Sequence, residues 1–281
     1  MTSYVFPGQG SQHKGMGEKL FSEFPALISQ ANTILGYSIE TLCLEDTNGY
    51  LNQTKYTQPA LYIVNALSYF KKIQDGANKP GYVAGHSLGE YNALLAAEVF
   101  DFTTGLRLVQ KRGELMSQAQ GGGMAAIIGL KAAQVLEILQ QHHISNVVIA
   151  NYNSYTQLVI SGLKASVEAV QPIFEQAGGM VIPLKVSGAF HSPLMQSAKE
   201  SFIEFLKDFN FNRPQIQVIA NINAKPYEAD SIAKTLADQI TGSVCWCDTI
   251  QYLLNKGEES LEEVGCGQVL TGLINRIKNG K

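Results

Sequence analysis

The segment Gly85-His86-Ser87-Leu88-Gly89 constrains this chain more than any other. It follows the apolar run Tyr82-Val83-Ala84 and precedes Tyr91-Asn92-Ala93-Leu94-Leu95-Ala96-Ala97. That pattern is a short buried strand running straight into a helix. G-x-S-x-G in this setting is the signature of a nucleophile elbow, a sharp strand-to-helix turn with a strained serine at its apex. Glycines two positions either side let neighbouring backbone approach. The following helix points its N-terminus, with its free N–H groups, at the serine. The N–H of Leu88 is the expected first donor to a developing oxyanion. The plainer alternative is a tight turn whose serine only caps the helix, and the flanking strand and alanine-rich helix favour the elbow.

The rest of the chain alternates strands and helices around this turn. Tyr4-Val5-Phe6 reads as a buried strand that stops at Pro7-Gly8-Gln9-Gly10. Helices are expected over residues 16–28, 60–70 and 102–116, the second opened by Pro59, because proline suits a first helical turn. After Gly121-Gly122-Gly123 the pattern changes to strand (124–130), helix (132–142), strands (146–151 and 157–161), helix (165–176) and strand (180–186). This βαββαβ order is that of the ferredoxin-like motif. Glycines at both borders make it an inserted subdomain, 123–188, within a larger α/β domain formed by 1–122 and 189–281. A strand over 216–220 and helices over 250–254 and 270–277 complete the larger domain.

A serine hydroxyl needs a base to take its proton, and the chain offers five histidines. His86 adjoins Ser87 and should point elsewhere on the turn. His142 and His143 end a helix and look solvent-facing. His13 follows the glycine loop and suits local hydrogen bonding. His191, in Gly188-Ala189-Phe190-His191-Ser192, lies just past a buried strand, where a loop can bring it over the serine. Position favours His191 over His13 only moderately.

Composition narrows the partners. The 281 residues carry a net charge of −3, so no global field draws the chain to nucleic acid or anionic lipid. No window reaches the ~20 apolar residues of a membrane span, and the N-terminus lacks the basic and apolar regions of a signal peptide. The four cysteines, Cys43, Cys245, Cys247 and Cys266, form no metal-ligand spacing, so no metal and no bound cofactor are expected. A cytoplasmic monomer is the simplest expectation. Gly8-Gln9-Gly10 suggests a nucleotide loop only superficially, since His13 stands where G-x-G-x-x-G needs glycine.

Three motifs in this order, Phe6-Pro7-Gly8-Gln9-Gly10-Ser11-Gln12, Gly85 to Glu90, and Gly188 to Ser192, resemble the malonyl-CoA:acyl-carrier-protein transacylase family. Thr57-Gln58-Pro59-Ala60, Lys111-Arg112-Gly113 and Val269-Leu270-Thr271-Gly272-Leu273 are similar to that family's patterns as well. The resemblance spans the whole chain. It implies a hydrolase-like α/β core carrying the ferredoxin-like insert. It implies Ser87 as the acylated nucleophile and His191 as general base and then acid. Backbone N–H groups of Gln9 and Leu88 would form the oxyanion hole. Arg112 would hold the malonyl carboxylate, a task that suits its planar fork, although residues alone read it as a solvated neighbour of Lys111. Gln58 would help shape the pocket. The substrate implied is malonyl-CoA, and the partner is an acyl carrier protein whose phosphopantetheine thiol accepts the acyl group.

The chain departs from the family pattern in two places. The resemblance implies that backbone carbonyls near Ser243-Val244-Cys245-Trp246 hold the histidine, and the family usually carries proline at the first of these positions and glutamine or arginine at the third. In Asn151-Tyr152-Asn153-Ser154-Tyr155-Thr156-Gln157 the common Ser-Pro is missing, and Asn153 becomes a candidate pocket residue, or simply a turn former. Phe190 before the histidine is similar to the malonyl-selective pattern, where it would fill the space of a methyl branch, a filter of about 1–3 kcal/mol. The segment 89–102 resembles trans-acting enzymes of polyketide synthesis more than fatty-acid enzymes, and the chain is expected to act in trans. A fatty-acid transacylase and an acyl hydrolase with the same Ser/His pair are the alternatives.

Overall fold

A computed structural model of the protein describes residues 2–186 and 188–281. The chain opens with β1 (Thr2–Phe6), passes through α1 (Glu18–Phe21), α2 (Pro25–Leu35) and α3 (Ile39–Leu44), and enters the long α4 (Thr54–Gln74). β2 (Tyr82–Gly85), α5 (Gly89–Ala96) and α6 (Phe102–Gln118) follow. The middle of the chain holds β3 (Gly122–Ile128), α7 (Ala132–Gln141), β4 (Val147–Ser154), β5 (Gln157–Leu163), α8 (Lys164–Gln176) and β6 (Met180–Pro183). The last part holds α9 (Gln196–Leu206), β7 (Gln217–Ile219), α10 (Ile232–Thr241), α11 (Trp246–Asn255), β8 (Ser260–Glu263) and α12 (Val269–Lys278).

The strands form two four-stranded sheets, a parallel one in the order β7-β2-β1-β8 and an antiparallel one in the order β4-β5-β3-β6. The central parallel strands β1 and β2 are almost continuously apolar because both faces are covered. Phe6 and Val83 join the large core with α4, α5 and α6 on one side, while Val5 and Ala84 pack with Trp246, Ile250 and Ile274 on the other. The antiparallel sheet buries one face under α7 and α8 through Ile127, Leu139, Ile160 and Phe174. Its other face looks into the cleft. The two sheets are stitched where β4 meets the segment after α10. Val244 N–H donates to Ala150 O at 2.8 Å, Tyr152 N–H to Val244 O at 2.9 Å, and the Ser243 hydroxyl to Ile149 O at 2.7 Å.

Several expected boundaries move. Pro59 does not open its helix. α4 begins at Thr54 and carries Pro59 in its second turn, where the missing N–H costs only the bond to Lys55 O. The Thr57 hydroxyl anchors the extra turn to Leu51 O (2.7 Å) and Gln53 O (3.0 Å). The helix expected over 16–28 is two helices. Gly17 takes φ 82° before α1, and Pro25 starts α2 afresh. The strand expected to reach 186 ends at Pro183, which cannot donate to a ladder. α3, α9, α10 and β8 have no counterpart among the elements read from the sequence.

Candidate active site

Three glycines set the shape of the elbow. A Cβ on Gly85 would lie 1.9 Å from the Gly89 carbonyl carbon, and one on Gly89 would lie 2.0 Å from Phe6 O. The carbonyl of His86 presses so closely on the N-terminal loop that a Cβ on Gly8 would sit 2.3 Å from it. Strand β2, turn and α5 are therefore packed backbone to backbone against β1 and its loop. Ser87 is left at φ 51°, a left-handed conformation that costs a non-glycine residue about 1–3 kcal/mol. Side chains from elsewhere secure it. Ser87 N–H donates to Asn221 Oδ1 at 2.7 Å, Gln239 Nε2 donates to Ser87 O at 2.8 Å, and Asn221 Nδ2 donates to Gly85 O at 2.6 Å.

His191, also left-handed at φ 56° and buried, stands with Nε2 2.8 Å from Ser87 Oγ. Its Nδ1 faces two carbonyl oxygens, Gln239 O at 2.9 Å and Gly242 O at 3.0 Å. Two acceptors on one side fix the proton on Nδ1 and leave the Nε2 lone pair for the serine hydroxyl. The holding carbonyls thus come from just before the Ser243–Trp246 segment that the resemblance indicated. Burial, and then the nearby Arg112 cation, hold the imidazole down at about 3, so the ring is a neutral base.

Arg112 on α6 is 1% exposed, not a solvated partner of Lys111. Its Nη1 donates to Gln58 Oε1 at 2.7 Å, and its Nη2 to Gln239 Oε1 at 2.9 Å and Ser87 Oγ at 3.2 Å. The buried Nε has no partner among the described residues. Gln58 therefore does more than shape the pocket, because it braces one arm of the guanidinium. Phe190 and Asn153 line the same cavity of about 230 Å³, which Met116, Met124, Leu184 and Leu273 make largely apolar. Asn153 reaches the elbow through His86, whose Nε2 lies 2.8 Å from Asn153 Oδ1. His86 otherwise packs edge-on to Trp246, 5.6 Å between ring centres, and burial lowers its proton affinity.

Gln9 and Leu88 border the cavity, and no protein acceptor among the described residues takes the backbone N–H of either. Asn65 places this loop, its Nδ2 donating to Pro7 O at 2.9 Å. The remaining histidines are elsewhere. His13 is exposed and touches Ser11 O at 3.2 Å, and His142 and His143 are exposed at the end of α7.

The sequence reading assigned no role to Gln239, Asn221, Glu90 or Tyr227. Glu90 is fully buried. Its carboxylate accepts from Gln239 Nε2 at 2.6 Å, from Asn221 N–H at 3.4 Å and from the Tyr227 hydroxyl. Burial pushes it up to about 7 against the pull of these donors and of Arg112. A lone acid at the start of the apolar helix α5 was a visible signal, whereas nothing in the sequence marked Gln239. No group of three or more His, Cys, Asp or Glu among the described residues is arranged to hold a metal.

The profile of the acyl transferase domain matches residues 3–258. The polyketide biosynthesis malonyl CoA-acyl carrier protein transacylase PksC of Bacillus subtilis is 59% identical over 280 residues, covering 99% of this chain and 97% of that protein. The chain belongs to the malonyl-CoA:acyl-carrier-protein transacylase family. Family members of Synechocystis and Escherichia coli named malonyl CoA-acyl carrier protein transacylase are 44% and 38% identical, each covering 98% of this chain and 93% and 92% of theirs. The crystal structure of a malonyl CoA-acyl carrier protein transacylase from Burkholderia pseudomallei superposes with a TM-score of 0.97 at 45% identity, covering 100% and 99% of the two chains. A malonyl-transacylase solved in complex with a type II polyketide acyl-carrier protein superposes with a TM-score of 0.94 at 36% identity, covering 99% and 93%. The shared architecture is an α/β fold with one parallel and one antiparallel sheet.

Proposed function

We propose that the protein moves a malonyl group from malonyl-CoA to the phosphopantetheine thiol of an acyl carrier protein, by a ping-pong route through acyl-Ser87, in polyketide synthesis. The observation that carries this is the buried Arg112 guanidinium standing 3.2 Å from the Ser87 hydroxyl. A buried cation beside a nucleophile demands an anion, and a malonyl thioester brings one carboxylate at the right end of the molecule.

His191 Nε2 takes the Ser87 proton as the oxygen attacks the thioester carbonyl. The tetrahedral oxyanion lies between the N–H groups of Gln9 and Leu88, and His191 then returns the proton to the departing coenzyme A sulfur. Acylation frees the Arg112 Nη2 proton that pointed at Ser87 Oγ, so the outer edge of the guanidinium can take the malonyl carboxylate. The carrier thiol gives its proton to His191, attacks the ester and reverses the sequence. No nucleic acid, membrane, metal or bound cofactor enters the scheme, and no helix among the described residues is long and apolar enough to cross a membrane.

The polyketide setting rests on the higher identity to the polyketide relative, 59% against 38% for the Escherichia coli family member. The same reading takes residues 1–122 and 189–281 as a hydrolase-like catalytic domain and 123–188 as a ferredoxin-like insert. The sheet order β4-β5-β3-β6, with α7 and α8 on one face, supports that division.

Intact-mass spectrometry after mixing with malonyl-CoA tests the reading. The native protein should gain one malonyl group that is stable until an acyl carrier protein is added, and Ser87→Ala should gain none. A malonyl adduct on the mutant would refute the nucleophile assignment. Loss of the native adduct to water within one turnover time would make the protein a hydrolase.

A further inference from the structure

The catalytic scheme leaves the buried acid nearest the site unused. Glu90 sits one helical turn after Ser87, and everything it touches leads back to the site. Gln239 is the intermediary. Its Nε2 donates to Glu90 Oε2 (2.6 Å) and Ser87 O (2.8 Å), while its Oε1 accepts from Arg112 Nη2 (2.9 Å). An amide can lie either way round, and the network decides which. Reversed, its oxygen would face a carboxylate and a carbonyl, and its NH₂ would face a guanidinium. Glu90 adds to these preferences, because its ionised carboxylate accepts from every neighbour that points at it. Those neighbours are Gln239 Nε2, the fixed backbone N–H of Asn221 (3.4 Å) and the Tyr227 hydroxyl.

We propose that Glu90 is a positioning residue for acyl selectivity, acting through Gln239 to keep an acceptor oxygen on Arg112 and so hold the guanidinium beside Ser87. The proposal rests on the reading of Arg112 as the malonyl clamp. With Gln58 bracing one arm at 2.7 Å, the Gln239 oxygen is the second brace. Without it the guanidinium keeps its charge but loses the direction that aims its free edge at an acyl group on Ser87. A neutral amide at position 90 brings an NH₂ that must oppose either Asn221 N–H or Gln239 Nε2. Turning the Gln239 amide relieves the second conflict by placing its own NH₂ against Arg112.

The readout is the ratio of acyl-Ser87 formation rates from malonyl-CoA and acetyl-CoA, since only the first engages Arg112. Glu90→Gln is expected to lower that ratio about tenfold, the effect of one misplaced hydrogen bond to a charged group. A merely structural role lowers both rates together and leaves the ratio unchanged, and that result overturns the proposal. Gln239→Leu should lower the ratio similarly, and the double variant should be no worse than Gln239→Leu alone, whereas additive losses would show that Glu90 does not act through Gln239. Arg112→Ala separates the layers. A ratio unaffected by Arg112→Ala refutes the clamp itself, while a ratio that falls there but not in Glu90→Gln refutes only the role of Glu90. Should Glu90→Gln not fold, Tyr227→Phe removes one donor to the carboxylate and should shift the ratio the same way by less; an unchanged ratio overturns the proposal.

Discussion

The two halves of the active site are built in different ways. The proposed reacting pair, Ser87 and His191, is shaped mainly by backbone packing and main-chain carbonyls, with the Asn221 and Gln239 side chains tying down the Ser87 backbone. Ser87 is fixed by a turn that only glycine neighbours permit, and His191 by carbonyl oxygens of Gln239 and Gly242. The proposed carboxylate clamp is held by side chains, with Arg112 braced by the amides of Gln58 and Gln239. Main-chain contacts survive substitution of the residue that makes them, and side-chain contacts do not. Ser243 and Cys245 can depart from the family pattern because the carbonyls that face His191 belong to Gln239 and Gly242. Cys245 contributes its backbone N–H, which donates to Asn221 O at 2.8 Å, and its thiol is pushed up by burial. On the proposed reading, acyl selectivity is therefore the property most exposed to side-chain substitution.

The comparison is easiest to break at the reacting pair. His191→Ala should slow acylation from malonyl-CoA and acetyl-CoA alike, by about 10²–10⁴-fold, measured as single-turnover adduct formation; an effect confined to one donor would contradict the division. Next in size is Gln58→Leu, which removes one brace from Arg112. Malonyl transfer should drop about tenfold relative to acetyl transfer, read by competition between the two donors. A third test uses pH, with acetyl-CoA as donor so that the clamp is not engaged. A histidine held down at about 3 stays the neutral base as pH falls from 8 to 5, so the acylation rate should stay level. An unperturbed imidazole would lose about thirtyfold over the same interval. An inflection near 6.5 that persists in Glu90→Gln, and so does not come from the carboxyl held up to about 7, would mean that the ring is hydrated and not desolvated in the working enzyme. The smallest effect is expected for Ser243→Ala, which deletes the hydroxyl bond to Ile149 O. It should cost about 1 kcal/mol of stability, seen in denaturant unfolding, with transfer rates unchanged.

The same division governs what could be read from the sequence. The elbow was legible because its geometry forces glycine at fixed spacing, as at Gly85 and Gly89. The βαββαβ order was legible because strands such as β5 carry a short apolar run and helices such as α8 space their apolar residues three and four apart. β8 was not, since an edge strand reading Ser-Leu-Glu-Glu with half its residues exposed lacks that pattern. Pro59 misled because a proline early in a long helix resembles one that starts it. Arg112 could be assigned only through the resemblance, as a basic residue beside Lys111 carries no local sign of burial. Gln239 was invisible, because it meets Ser87 from 152 positions away, and nothing in its own helix announces that meeting.

The close approach of Gly8 to the His86 carbonyl has a kinetic consequence. His86 N–H bonds to Phe6 O at 3.0 Å, so the β1–β2 ladder runs on into the elbow itself. The loop bearing Gln9 and the turn bearing Leu88 are thus set by the pairing of two strands far apart in the chain, not by anything a substrate brings. A refolding molecule should therefore bring the backbone N–H groups of Gln9 and Leu88 together in the same phase in which its parallel sheet closes, while acyl uptake waits also on the docking of His191 against Gln239 and Gly242.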